Sequence, residues 1–397
     1  GSSEYSRAAR TCRACSNVNP QLPPVFQEFT IRAVLGLGFL NASLQKQGWS
    51  SVAFSLFMLV LAVQWAILTD SFTEWLLSGK VPNKLTSMYP ASMSAVTVLI
   101  SAGMVLGKAN LVQLTVMTLL EVTAIGIMRT VGSTFFQLDH HMDTMFFPIF
   151  AAYFGVIVAR CLAKPLPKGA EKKTQMATRP SLFGMLGTLF LWIFWPSFNS
   201  APLNLLDNKR TALLNTYFAL AVSAVTATSV SALAHPHGKI NLVHVHNAVL
   251  AGGVASSAPA YLISSPWIAM VLGLLAGLIS IGGAKCLVRN WTRNTLCLGL
   301  ISRLLSPRWA LCGAMGCGRR VLVLLRLTSK PGRGTHPGWL VEQVLGSFKF
   351  AQVLASGLLT GLLLRLKIWK APHEAKYFED QTFWESHWPH LPSHLDD

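Results

Sequence analysis

The chain has 397 residues, of which 52% are hydrophobic and only 12% charged, and its mean hydropathy is +0.45. That composition excludes an ordinary soluble enzyme and fits a polytopic membrane protein. The formal net charge of +17 does not indicate nucleic acid, because the basic residues lie between apolar stretches, as in the cytoplasmic loops of a membrane protein, and not on one polar face.

In chain order, residues 1–30 contain no spanning stretch. Their Pro, Asn, Gln and Ser content, with Cys12 and Cys15, matches neither a signal peptide nor a helix, so disorder is expected. A short apolar window follows at 33–44, then windows at 49–68, 91–106, 111–128, 146–162, 182–198, 212–233, 245–263, 267–287 and 339–364. A bilayer core takes roughly 20 apolar residues per helix. Backbone groups find no water in lipid, so each window must be a helix unless the chain closes into a barrel, and the missing period-two alternation removes the barrel. The expected fold is an all-α transmembrane bundle over 31–364, with about ten recognisable helices in these windows.

If every window spans, the loops at 45–48, 107–109, 164–179 and 235–239 share one face, and each carries a Lys/Arg excess. The alternate loops mix signs and contain Asp70, Glu74, Asp139, Asp143 and Asp207. The charge bias therefore places 164–179 in the cytoplasm. The two sequons, Asn41-Ala42-Ser43 and Asn290-Trp291-Thr292, fall on that side and are expected to carry no glycan.

Residues 289–338 are atypical: 289–333 hold nine Arg/Lys and no acidic residue, and each charge at a helix centre costs about 2.5–3.5 kcal/mol on insertion scales. Beyond Leu364 the chain turns charged and amphipathic, with Lys367, Trp369, Lys370 and Trp384. Tryptophan and lysine at a helix exit anchor it at the headgroups, and 365–397 form a cytoplasmic tail. No phosphate loop, nucleophile elbow or metal-ligand spacing occurs, so neither catalytic residues nor cofactors are expected. His235, His237, His244 and His246 cluster at one turn but lack a Cys or carboxylate to complete a metal site; a solvated turn is the reading. The cysteines form no disulfide framework. Glu121, inside an apolar helix, is either a functional group or a structural pairing within the bundle.

The strings LGLGFL (35–40), WSSVAF (49–54), VQWAIL (63–68), AYFG (152–155), KPLPKG (164–169), LWIFWPSFNS (191–200), VHNAVLAGGVA (245–255), GLISIGGAKCL (277–287) and LLLRLKIWKAPHEAKYFEDQTFW (362–384) resemble the ammonium transporter and Rh superfamily, specifically its blood group Rh polypeptides. The resemblance covers about 33–287 and 356–384; the first thirty residues and 289–344 lie outside it. It implies a protomer of eleven or twelve helices, assembled as a trimer, with a narrow pore through each protomer. Conducting members carry two pore histidines, which can share a proton at the dry midplane. The first position falls here on Pro148, and no matching string supplies the second. Of the paired entry phenylalanines in those members, one corresponds to Phe198 and the other to Ala102.

The same resemblance implies juxtamembrane palmitoylation at Cys161 and Cys286, although the family's Cys-Leu-Pro here reads Cys161-Leu162-Ala163 and Cys286-Leu287-Val288. It implies a tail, with Tyr377, Phe378, Glu379 and Asp380, that meets the ankyrin and spectrin skeleton. The expected setting is the plasma membrane of erythroid cells, with the Rh-associated glycoprotein and Rh homologues as trimer partners, the lipid bilayer as solvent, and no nucleic acid. Three functional readings follow: a structural Rh-type subunit, an ammonia or carbon dioxide channel of the superfamily, and a chain whose missing helices leave faces uncovered.

Overall fold

The computed structural model describes residues 22–41, 48–79, 88–136, 140–162, 182–291 apart from a few single positions, and 336–369. The described residues form ten α-helices and no strand. These are α1 Leu22–Asn41, α2 Gly48–Ser78, α3 Met88–Val105, α4 Leu111–Phe136, α5 His140–Leu162, α6 Leu182–Ser200, α7 Leu206–Leu233, α8 Leu242–Ser257, α9 Pro266–Trp291 and α10 His336–Leu364. Each apolar window is met by one of these helices. By length and composition, five helices (α2, α3, α4, α6 and α7) can cross a membrane over their described apolar stretches.

Some boundaries differ from the sequence reading. The first helix starts at Leu22, so 22–30 are helical where the sequence suggests disorder. Pro23 and Pro24 stand in its first turn, where their missing N–H groups break no helical bond. The window at 245–263 is longer than its helix: α8 ends at Ser257, and Pro259 opens a turn whose carbonyl accepts from the N–H groups of Leu262 and Ile263. Residues 1–21, the basic loop at 163–181, the atypical stretch 292–335 and the tail from 370 lie outside the described residues.

The packing has a repeated plan. Helix α1 packs on α2 and α3, α2 on α3 and α4, and α3 on α4; likewise α6 packs on α7 and α8, α7 on α8 and α9, and α8 on α9. Helix α1 joins the two halves through α6. Helix α5 lies against α3, and α10 covers α5 and α4.

Helix α3 is the axis of the first half, with every residue from Ala91 to Val105 buried. Over their apolar windows, 83% of α3 is buried against 33% of α2; α2 thus offers Leu56, Phe57, Val60 and Leu68 outward, as a lipid-facing helix should. The helices pack through small residues, which admit the close backbone approach that drives association where lipid is as apolar as leucine. A Cβ on Gly187 of α6 would stand 2.5 Å from the Leu40 nitrogen of α1, and one on Gly155 of α5 would stand 2.9 Å from the Ser101 backbone of α3.

Candidate functional site

The interior of the first half is built from α3, α4 and α5. Ala102 is fully buried on α3. Beside it, the Ser101 hydroxyl lies 2.5 Å from Oε2 of Glu121 on α4, and Glu121 is fully buried. Its second oxygen, Oε1, makes no hydrogen bond among the described residues. Glu121 thus bonds Ser101 across α3 and α4.

Pro148 sits buried inside α5. It has no N–H to give the carbonyl of Thr144 and no proton or lone pair to offer a solute. Elsewhere on α5, Phe147, Phe150 and Phe154 are buried, and the rings of Phe150 and Phe154 stack at 5.6 Å. A proline ring, and no imidazole, therefore stands at position 148.

Phe198 is 3% exposed, near the end of α6. Its ring lies 5.2 Å from Phe194 and 5.2 Å, edge-on, from Trp195. Trp195 in turn fits where Gly253 of α8 lacks a side chain; a Cβ there would stand 2.6 Å from the indole. Next to Phe198, the Asn199 carboxamide donates to Thr216 Oγ1 of α7 and to the Gly253 carbonyl of α8, each at 3.1 Å. Phe198, Ala102 and the phenylalanines flanking Pro148 belong to one continuous apolar cluster. The geometry provides an apolar, aromatic-packed interior.

The histidine reading needs correction at one position. His235 and His237 are exposed at the turn, but His246 is only 5% exposed and hydrogen-bonds Thr188 of α6 through Nδ1. Spacing alone groups it with the solvated histidines, whereas its place one turn into α8 faces it toward α6. No group of three His, Cys, Asp or Glu able to hold a metal occurs among the described residues.

Cys161 is partly exposed and packs against α10, where a Cβ on Gly361 would fall 2.7 Å from its sulfur. Cys286 lies in α9, but its side chain is outside the described residues, as are Tyr377, Phe378, Glu379 and Asp380.

Three arrangements escape the sequence reading. Arg32 of α1 reaches Ser197 of α6 at 3.5 Å; it stands one residue before the apolar window, which cuts it off. Asp70 of α2 pairs with Arg129 of α4 inside the bundle edge, with side chains 15% and 14% exposed. Asn110 and Gln113 are spaced as a capping box ahead of an apolar run, a local signal that could have found them.

The family model described as "Ammonium Transporter Family" matches residues 8–294. The chain belongs to the ammonium transporter family. Within this family its relatives include RH-like protein IC of Gorilla gorilla gorilla, 56% identical over 370 residues that cover 92% of this chain and 87% of that one. The human blood group Rh(D) polypeptide is 55% identical with the same coverage, and the human Rh(CE) polypeptide 55% identical over 369 residues. Solved structures share the fold: Rh50 of Nitrosomonas europaea superposes with a TM-score of 0.72 at 22% identity, over 94% of this chain and 95% of that chain. Mep2 of Saccharomyces cerevisiae gives 0.61 at 17% identity, over 93% and 92%. This ammonium transporter family member is thus a helical membrane protein of the Rh blood group type, in a family of transporters rather than of enzymes.

Proposed function

We propose that the chain is a structural subunit of an Rh-type complex in the erythroid plasma membrane. It assembles in a trimer with the Rh-associated glycoprotein and Rh homologues, and its tail, including Tyr377 to Asp380, ties the membrane to the ankyrin and spectrin skeleton. Cys161 and Cys286 carry lipid at the cytoplasmic face. The observation that supports this reading above a channel is Pro148, buried within α5: a weak base at the dry midplane needs a group that shares a proton, and proline has none.

The channel reading is favoured by one placement, Phe198 held in an aromatic cluster as an entry phenylalanine would be. The two readings part in proteoliposomes. A structural subunit moves ammonia, methylammonium and carbon dioxide no faster than empty vesicles do, and flux above that level overturns the proposal. If the pore persists behind Pro148, P148H raises ammonium flux above the parent chain.

A further inference from the structure

The five residues between α3 and α4 form a tight turn, with the Lys108 N–H on the Val105 carbonyl at 3.0 Å and Gly107 in the left-handed region at φ 91°. Asn110 then caps α4 reciprocally with Gln113. The Gln113 N–H donates to Asn110 Oδ1 at 2.8 Å, and the Asn110 N–H donates to Gln113 Oε1 at 3.0 Å. A capping box uses only the side-chain oxygens, which leaves two carboxamide NH2 groups to act elsewhere.

Both point at the end of α10. Asn110 Nδ2 donates to the Trp369 carbonyl at 2.6 Å, and Gln113 Nε2 donates to the Leu364 carbonyl at 2.9 Å. The last carbonyls of a helix have no partner within it; here Gln113 supplies one to Leu364, the final residue of α10, and Asn110 supplies one to Trp369, which closes the short 3-10 turn Lys367–Trp369 beyond it. The Trp369 indole folds back onto the Leu363 carbonyl at 2.7 Å. Gln113 and Leu364 are each 1% exposed, so this bond is made out of water, where a polar group left unmatched is expensive.

We propose that the α3–α4 turn is a binding site for the chain's own C-terminal exit, a latch whose two donors are the carboxamides of Asn110 and Gln113. It holds residues 364–369 against the hairpin that carries the buried helix α3, on the face that the charge bias assigns to the cytoplasm. A partner on the tail, whatever its identity, works against this latch before it works against α10. The latch is independent of any contact between the tail and the skeleton.

The test separates latching from capping by chemistry. N110D/Q113E in the full-length chain keeps both oxygens that cap α4 and removes both donors. Trypsin is applied from the cytoplasmic side of membrane vesicles, and cleavage after Arg365, Lys367 and Lys370 is followed by mass spectrometry. A spin label on I368C, a position 78% exposed, reports mobility at the same place. Loss of two hydrogen bonds predicts cleavage faster by roughly tenfold or more and a more mobile label, with the gel-filtration profile of the parent. Parental cleavage and parental mobility in the double variant overturn the latch. If the double variant does not fold, N110D alone decides: it retains the Gln113 bond within the bundle, and it either frees Trp369 and speeds cleavage after Lys370 or refutes the site by leaving cleavage unchanged.

Discussion

Gly273 of α9 lies so close to Ala219 of α7 that a Cβ built on it would collide with the Ala219 carbonyl oxygen. The obstacle is helical backbone, which cannot rotate aside as a side chain can. Helices α7 and α9 are thus held together through the absence of one methyl group, in a bundle where close approach replaces the hydrophobic drive of a soluble core.

G273A should therefore force α7 and α9 apart and cost about 1–3 kcal/mol, the usual penalty of overpacking. Gly282 of the same helix has nothing within 4 Å of where a Cβ would stand, and G282A should be neutral or stabilise by about 0.5–1 kcal/mol through helix propensity. Thermal unfolding of the two variants in detergent gives the comparison; equal melting temperatures would contradict the packing.

At Ser101 and Glu121 the smaller change should do the greater harm. S101A removes only an oxygen, yet it leaves a fully buried carboxyl with no partner and should cost about 1–3 kcal/mol. E121Q keeps shape and the bond to Ser101 and should unfold within about 1 kcal/mol of the parent. Unfolding midpoints of the two variants decide it, and a stable S101A beside an unstable E121Q would reverse the assignment.

Asp70 and Arg129 are coupled across α2 and α4, with little water around either. D70N should destabilise by about 3 kcal/mol because it strands a guanidinium, and D70N/R129Q should recover much of that loss. A double-mutant cycle from unfolding midpoints measures the coupling, and simple additivity would mean that the pair is not formed.

Phe198 fills space beside Phe194 and Trp195. F198A should lower stability by about 3–5 kcal/mol while solute flux stays at the empty-vesicle level. A stable F198A with raised flux would instead make Phe198 a gate.

The helices are legible in the sequence because lipid leaves few choices: an apolar run of spanning length has to satisfy its own backbone, and each window is met by a helix. Their ends are less legible. Helix α2 runs on to Ser78, and there the Thr69 and Thr73 hydroxyls donate to the carbonyls of Trp65 and Thr69, so polar residues that read as a loop have their hydrogen bonds met within a helix. The window at 245–263 hides the stop at Ser257, where the Asn215 carboxamide takes the carbonyls of Ala260 and Ile263, each at 2.8 Å. Pro259, two residues on, is the local mark of that stop, and a side chain from another helix then satisfies the carbonyls beyond it.

The site is legible by position rather than by contact. Pro148 and Phe198 can be named from their strings, and Glu121 from its incongruity in an apolar helix. The Ser101 partner of Glu121 and the Thr188 partner of His246 depend on which helices touch. Asn110 and Gln113 show the reverse case, since their spacing advertises a cap but not the second use of their nitrogens.

The measurement closest to the central claim is capture of the Rh-associated glycoprotein by the tagged full-length chain, expressed in erythroid cells, beside an ordinary Rh polypeptide. The account predicts co-purification of the glycoprotein with both chains from the plasma membrane. Capture by the Rh polypeptide alone would contradict it and would leave this chain with the family's fold but not the role of an Rh subunit.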